Sequence, residues 1–430
     1  MSTTRIERDG FVFLEHSFVA PLDHRAANAA DAATITVSAR EVVAADAEHE
    51  DRPYLLWFQG GPGNPADRPG VPGGWLGRAL EEFRVVLIDQ RGTGRSSAIT
   101  HRTLPEGTVS ERSDYLSHFR ADSIVADAEL LRSLLIGTRT WTILGQSFGG
   151  FCALTYLSQA GHGLAAALIT GGLPEIGGDL RDIYRANYAQ TARRNAEFFA
   201  AYPEDRQRVT ALVTHLRSTD EVLPTGEALT AERFLSLGIM LGTKNGIDQL
   251  HYLLENAFTQ NGAPALTEAF LADAGSALSF AKNPLYAVLH EAIYAENSRS
   301  AWAAQAVRDE LPAFALDGTP AEDTLLTGEM IYPWQFDQDP ALTPLRDVAV
   351  HLAERTDWPA LYNLEALAAN TVPTAAVVYA TDMFVPFEGS MRTAAKVNNL
   401  TTIVTDAHQH DGIRQDGAGL VDQLLRAVRA

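Results

Sequence analysis

Residues 141–151 read WTILGQSFGGF, and within them Gly145-Gln146-Ser147-Phe148-Gly149 sets a serine between glycines two residues to either side. A serine hydroxyl becomes a nucleophile when a turn exposes it and a base takes its proton. The apolar run before Ser147 and the helical pattern after it make this a strand-to-helix corner, too crowded for side chains at the flanking positions. The first turn of the helix leaves N–H groups free, so the N–H of Phe148 is a natural donor to an oxyanion. A second donor is expected from Gln59-Gly60-Gly61-Pro62-Gly63, which follows directly on the apolar run YLLWF, with Gly61 the contributor. Taken singly, either glycine-rich stretch is also an ordinary turn.

Such a serine needs a base, and the base needs an acid to fix its tautomer. Late in the chain, AAVVYA (Ala375–Ala380) runs into Thr381-Asp382-Met383-Phe384-Val385-Pro386. The run Thr401–Val404 leads to Asp406-Ala407-His408-Gln409-His410-Asp411-Gly412. Both lie just beyond the end of an expected strand, in the chain order serine, acid, histidine that one class of triad uses. Asp382 as a plain turn or capping residue is the structural alternative. His410 and His408 compete for the base; position in the loop before the last helix favours His410. A His-x-His pair also suits a metal, but no third ligand stands nearby, so no metal and no cofactor is expected. Asp89-Gln90-Arg91-Gly92-Thr93-Gly94-Arg95-Ser96-Ser97 imitates a phosphate loop, yet lacks both the third glycine of a dinucleotide fingerprint and a Gly-Lys-Ser/Thr ending.

The elements that must position these residues are legible as runs. Phe11–Leu14 and Thr34–Ser38 read as strands, as do Tyr54–Phe58, Val85–Ile88, Trp141–Leu144, Ala165–Ile169, Ala375–Ala380 and Thr401–Val404. YLLWF and VVLI are apolar on both faces, as in strands buried between helix layers. Helical spacing marks Ile124–Ile136, Phe151–Ala160, Ser390–Val397 and Gly419–Val428. From about 180 to 345 the chain is rich in Ala, Leu, Glu and Arg, with few short apolar runs. The pattern predicts a mostly parallel α/β sheet over 1–175 and 346–430, interrupted by a helical cap over 176–345.

Composition bounds the class. With 430 residues, 46% hydrophobic and 20% charged, the chain can bury a large core. Thirty-four basic against 54 acidic residues give a net charge of −20, which excludes a basic nucleic-acid footprint and argues against docking on anionic membranes. One cysteine, Cys152, rules out an internal disulfide and is expected to be a small buried residue. The N-terminus shows no signal-peptide h-region and no run is long enough to span a bilayer, so a cytoplasmic protein is expected.

Together QGGPG, DQRGTGRSS and GQSFGG, in this order and spacing, resemble the proline iminopeptidase (prolyl aminopeptidase) family of α/β-hydrolases. The resemblance continues through NPLYAVLHEAIY and TGEMIYPW to DMFVP and HDG, in the manner of the larger-subunit members. It departs at Gln59, where shorter members carry histidine. The resemblance implies an α/β-hydrolase fold with a cap, a triad of Ser147, Asp382 and His410, and release of an N-terminal residue, preferably proline, from small peptides. It also places amine-reading acids in the cap, where Glu291 and Glu329 are the candidates. Tyr294, Tyr332 and Trp334 are candidate walls for a pyrrolidine pocket. Structural hydrogen bonding within the cap is the alternative for both acids. A carboxylesterase or amidase on the same core is the nearest rival function, and a non-catalytic binding protein a more distant one. A homo-oligomer remains open.

Overall fold

The computed structural model describes residues 1–26, 32–259, 265–316 and 320–430. Nine strands form one sheet among the described residues. They are β1 (Ser2–Arg8), β2 (Phe11–Pro21), β3 (Thr34–Ala44), β4 (Tyr54–Phe58), β5 (Arg84–Asp89), β6 (Trp141–Gln146), β7 (Leu164–Thr170), β8 (Thr374–Tyr379) and β9 (Leu400–Thr405). Their spatial order is β1-β2-β3-β5-β4-β6-β7-β8-β9. The first three strands are antiparallel and join β5 antiparallel; from β5 to β9 all pairings are parallel.

The apolar runs owe their character to this burial. Along β4, Leu56 and Phe58 face one layer with the helices Ala121–Ile136 and Phe148–Ala160, whereas Leu55 and Trp57 face the other, with Gly74–Leu80 and Gly417–Arg429. Successive strand residues point to opposite faces, so a strand covered on both sides is apolar throughout. Strand β1, by contrast, is exposed along its whole length. STTRIER carries no alternation to reveal it, and it is a strand because the hydrogen-bonding edge of β2 lies free beside it. Pairing between β2 and β3 extends β2 to Pro21 and β3 to Ala44, well beyond the segments expected from composition.

From β7 to β8 the regular elements described are helical, beginning with Leu180–Ala201, apart from the isolated bridges Val222↔Ala228 and Phe258↔Leu266. This insertion shares a continuous core with the sheet: Phe198, Leu235 and Leu241 join Phe148, Phe151 and Phe384 in one apolar cluster. A buried arginine fastens it as well. Arg120 donates to the carbonyls of Ala292 (3.0 Å), Ala295 (2.5 Å) and Pro359 (2.7 Å), with its guanidinium over the Trp358 ring at 4.5 Å. No helix among the described residues is long and apolar enough to cross a membrane.

Candidate active site

The turn between β6 and the helix Phe148–Ala160 holds Ser147 at φ 55°, ψ −125°, a conformation non-glycine residues rarely adopt. The surrounding glycines permit it. A side chain at Gly145 would strike the backbone of Gly149, one at Gly149 the carbonyl of Phe58, and one at Gly150 the backbone of Gly172. The corner is thus pressed between β4 and the loop after β7, with Ser147 N–H donating to Thr170 O at 3.1 Å. Cys152, on the same helix, is fully buried, and burial pushes its thiol well up, so it is an inert packing residue.

The loop after β4 lies against the serine: a Cβ at Gly60 would come within 3.1 Å of the Ser147 Cβ. Gly61 follows, with φ 151° and a cis bond to Pro62. Side chains that sequence reading passed over lock this loop. Asn64 Nδ2 donates to Gly60 O (3.2 Å), Asn283 Nδ2 donates to Asn64 Oδ1 (2.7 Å), and Gln90 Nε2 donates to Gln59 O (2.9 Å). Gln59, at the position where shorter family members carry histidine, accepts from Trp57 Nε1 at 2.9 Å. The arginine turn is a scaffold. Arg91 makes a buried two-point pair with Asp127 (2.7 and 2.6 Å), and Asp89 accepts the N–H groups of Ala66 and Arg95 besides pairing with Arg68.

At the carboxyl ends of β8 and β9, His410 Nδ1 lies 2.7 Å from Asp382 Oδ2. Both side chains are buried. Burial works to lower the His410 pKa, but the Asp382 charge and hydrogen bond, with Glu329 and Asp411 further off, outweigh it, and the net displacement is upward. His408 has no such partner among the described residues: its Nδ1 is buried without a hydrogen bond and its ring stands edge-on to Tyr379.

Of the candidate cap acids, Glu329 is the one coupled electrostatically to both His410 and Asp382. It accepts a hydrogen bond from Tyr286 OH at 2.6 Å. Desolvation raises its pKa to about 7, opposed by the pull of His410 and assisted by repulsion from Asp382. Glu291 is buried beneath the turn 300–304, where its Oε1 accepts the Ala304 N–H at 2.9 Å and its Oε2 has no hydrogen-bond partner among the described residues. Burial raises it to about 7 against those hydrogen bonds. Tyr184 feels both acids, with Tyr294 and Tyr286, and its buried hydroxyl has no hydrogen-bond partner among the described residues. Tyr294 packs edge-on to Phe151 of the elbow helix, at 5.3 Å between centroids. The four-residue spacing of Tyr286, His290 and Tyr294 is the signal that could have found Tyr286. Tyr332 and Trp334 are not in the lining of the cavity that opens beside the site: Tyr332 is fully buried with its hydroxyl 2.8 Å from Tyr188 OH, and Trp334 stacks on it.

A cavity of about 500 Å³ opens beside the site, lined by Glu329, Tyr286, Phe384, Asn64 and Arg414, among others. Phe384 ties it to the histidine, with ring centroids 4.9 Å apart. The described residues hold no cluster of His, Cys, Asp and Glu suited to a metal ion.

Residues 53–266 match the family described as alpha/beta hydrolase fold. The chain is 44% identical to a proline iminopeptidase of Aeromonas sobria over 421 residues, 98% of this chain and 97% of that one. It is 33% identical to the proline iminopeptidase aneH of Aspergillus aculeatus over 419 residues, 96% and 92% of the two chains. Near end-to-end likeness at such identity, on a sheet and elbow of this form, makes the chain a member of the proline iminopeptidase family of α/β-hydrolases.

Proposed function

We propose that this protein is a serine aminopeptidase that releases an N-terminal residue, preferably proline, from small peptides through an acyl-enzyme. The observation that carries this reading is the buried Asp382–His410 pair with a half-buried carboxyl, Glu329, close enough to bias it. A hydrolase of internal bonds or esters has no use for a desolvated acid there. An exopeptidase needs one, because a terminal ammonium stripped of water must meet opposite charge.

In this mechanism Ser147 Oγ attacks the carbonyl of the N-terminal residue while His410 Nε2 takes its proton, and the imidazolium then protonates the departing amine. Asp382 holds Nδ1–H and steadies the imidazolium. The N–H groups of Phe148 and Gly61 receive the oxyanion, at the start of a helix whose dipole favours negative charge. Water repeats the attack on the acyl-serine, with His410 again as base. Glu329, with Glu291, takes the substrate ammonium, and Tyr294 flanks the ring. Residues 176–345 act as the cap that limits access to peptide ends, on a core of 1–175 and 346–430. A lone cysteine and a strongly acidic composition suit a cytoplasmic setting.

A panel of aminoacyl arylamides with free and N-acylated termini, alongside p-nitrophenyl esters, tests the assignment. Prolyl arylamide should be the best substrate and its N-acylated form inert. Ester turnover without arylamide turnover would make the protein a carboxylesterase instead.

A further inference from the structure

The cavity beside the site carries four charged side chains in its lining: Arg233, Asp339, Glu329 and Arg414. Two of them cancel. Arg233 and Asp339 are buried against each other at 3.2 Å, with Glu227 3.6 Å from the same guanidinium nitrogen. The other two do not. Glu329 has only the neutral Tyr286 hydroxyl as hydrogen-bond partner, and the Arg414 side chain is exposed and has no carboxylate partner among the described residues.

The carboxylates nearest to Arg414 in the chain are engaged elsewhere. Asp411 accepts the Lys244 N–H (2.9 Å) and Gln415 Nε2 (2.8 Å), and Asp416 caps the last helix through the Gly419 N–H. The backbone fixes Arg414 relative to the base, since its N–H donates to Asp411 O at 2.8 Å, one turn after His410. The cavity lining therefore holds both an acid coupled to the triad histidine and an unpaired guanidinium on the short helix Gly412–Gln415 that follows the base.

Resting on the aminopeptidase reading, we propose that Arg414 is a specificity-determining residue that binds the free α-carboxylate of a dipeptide whose ammonium lies at Glu329. The two charges of a dipeptide zwitterion stand roughly 7 Å apart in an extended chain, with the scissile carbonyl between them. A guanidinium matches a carboxylate in a two-point hydrogen-bonded pair, and the cavity volume falls in the range of small-molecule sites. The enzyme so described prefers dipeptides to longer chains, whose second residue is an uncharged amide. It therefore consumes the products of a dipeptide-releasing peptidase.

The test compares kcat/KM for Pro-Gly, Pro-Gly-NH2 and Pro-Asp-NH2 in the wild type, Arg414→Gln and Arg414→Lys. Arg414→Gln should lower the ratio of Pro-Gly to Pro-Gly-NH2 about tenfold, through KM, with Arg414→Lys keeping most of it. The loss should shrink in 1 M salt, since the group is exposed. An unchanged ratio in Arg414→Gln overturns the proposal, and so does a fall confined to the Pro-Asp-NH2 ratio, which would assign the arginine to an acidic side chain. Failure of the wild type to cleave any of the three refutes the aminopeptidase reading itself, a result distinct from either.

Discussion

Asp382 divides its two carboxylate oxygens between histidine and backbone. Oδ2 meets His410 Nδ1 at 2.7 Å, while Oδ1 accepts the N–H groups of Phe384 (2.8 Å) and Val385 (3.1 Å). The second set of bonds stops the carboxylate from rotating away. The first fixes the proton on Nδ1, which leaves Nε2 as the acceptor a serine needs.

Ser147→Ala should lower kcat on prolyl arylamide by at least about a thousandfold, the usual loss for a triad member. The strained turn is set by Gly145, Gly149 and their neighbours, so the melting temperature should stay within a few degrees of wild type. Activity above a few per cent of wild type, measured on protein free of contaminating peptidase, would remove Ser147 from the mechanism.

His410→Ala should be nearly as damaging, and His408→Ala should cost less than tenfold. Only the His410 ring is bonded to Asp382. Steady-state kinetics on both variants decides it; a reversed order would transfer the base to His408.

Glu329→Gln keeps an oxygen for the Tyr286 hydroxyl but removes the charge. A lost contact to a desolvated ammonium is worth about 2–5 kcal/mol, so kcat/KM on prolyl arylamide should fall at least about thirtyfold, with Glu291→Gln also impaired. Stability should move the other way. A carboxyl whose pKa is raised by folding binds its proton more tightly in the native state, so its stabilising share is whole at low pH and lost as pH rises through about 7. Glu329→Gln should therefore melt higher than wild type at pH 8 and alike at pH 4.5, by calorimetry. An acid serving only the architecture of the cap would lose stability on replacement without a selective loss on free-amine substrates.

The acid limb of the pH–rate profile should involve two protons. His410 must be neutral to act as base, and its pKa is displaced upward; Glu329 must be ionised to hold an ammonium, and its pKa is about 7 in the empty site. Log kcat/KM should thus fall with a slope approaching two below neutrality. In Glu329→Gln the slope should approach one. A slope of one in both proteins would show that Glu329 does not titrate with substrate binding.

The parts whose signal is local are legible from the residues alone. The β4 and β6 runs, the glycines around Ser147 and the turns after β8 and β9 are legible because a strand buried on both faces must be apolar throughout, and because the backbone at the corner leaves no room for a Cβ. Strand β1 was illegible, since an exposed edge strand follows its neighbour's hydrogen bonds and has no pattern of its own. Loop position and the HDG resemblance favour His410 over His408, two residues apart, and the tertiary structure brings the ends of β8 and β9 together so that the His410 ring meets Asp382. The aromatics of the cap show the limit of local signal. Tyr294 stands against the elbow helix whereas Tyr332, equally apolar in its surroundings, turns to Tyr188 inside the cap. Sequence spacing gives the face of a helix, but which face meets the active site depends on how the whole cap packs. That packing depends on contacts such as Arg120 with the carbonyls of Ala292 and Ala295, groups every residue possesses and no motif can mark.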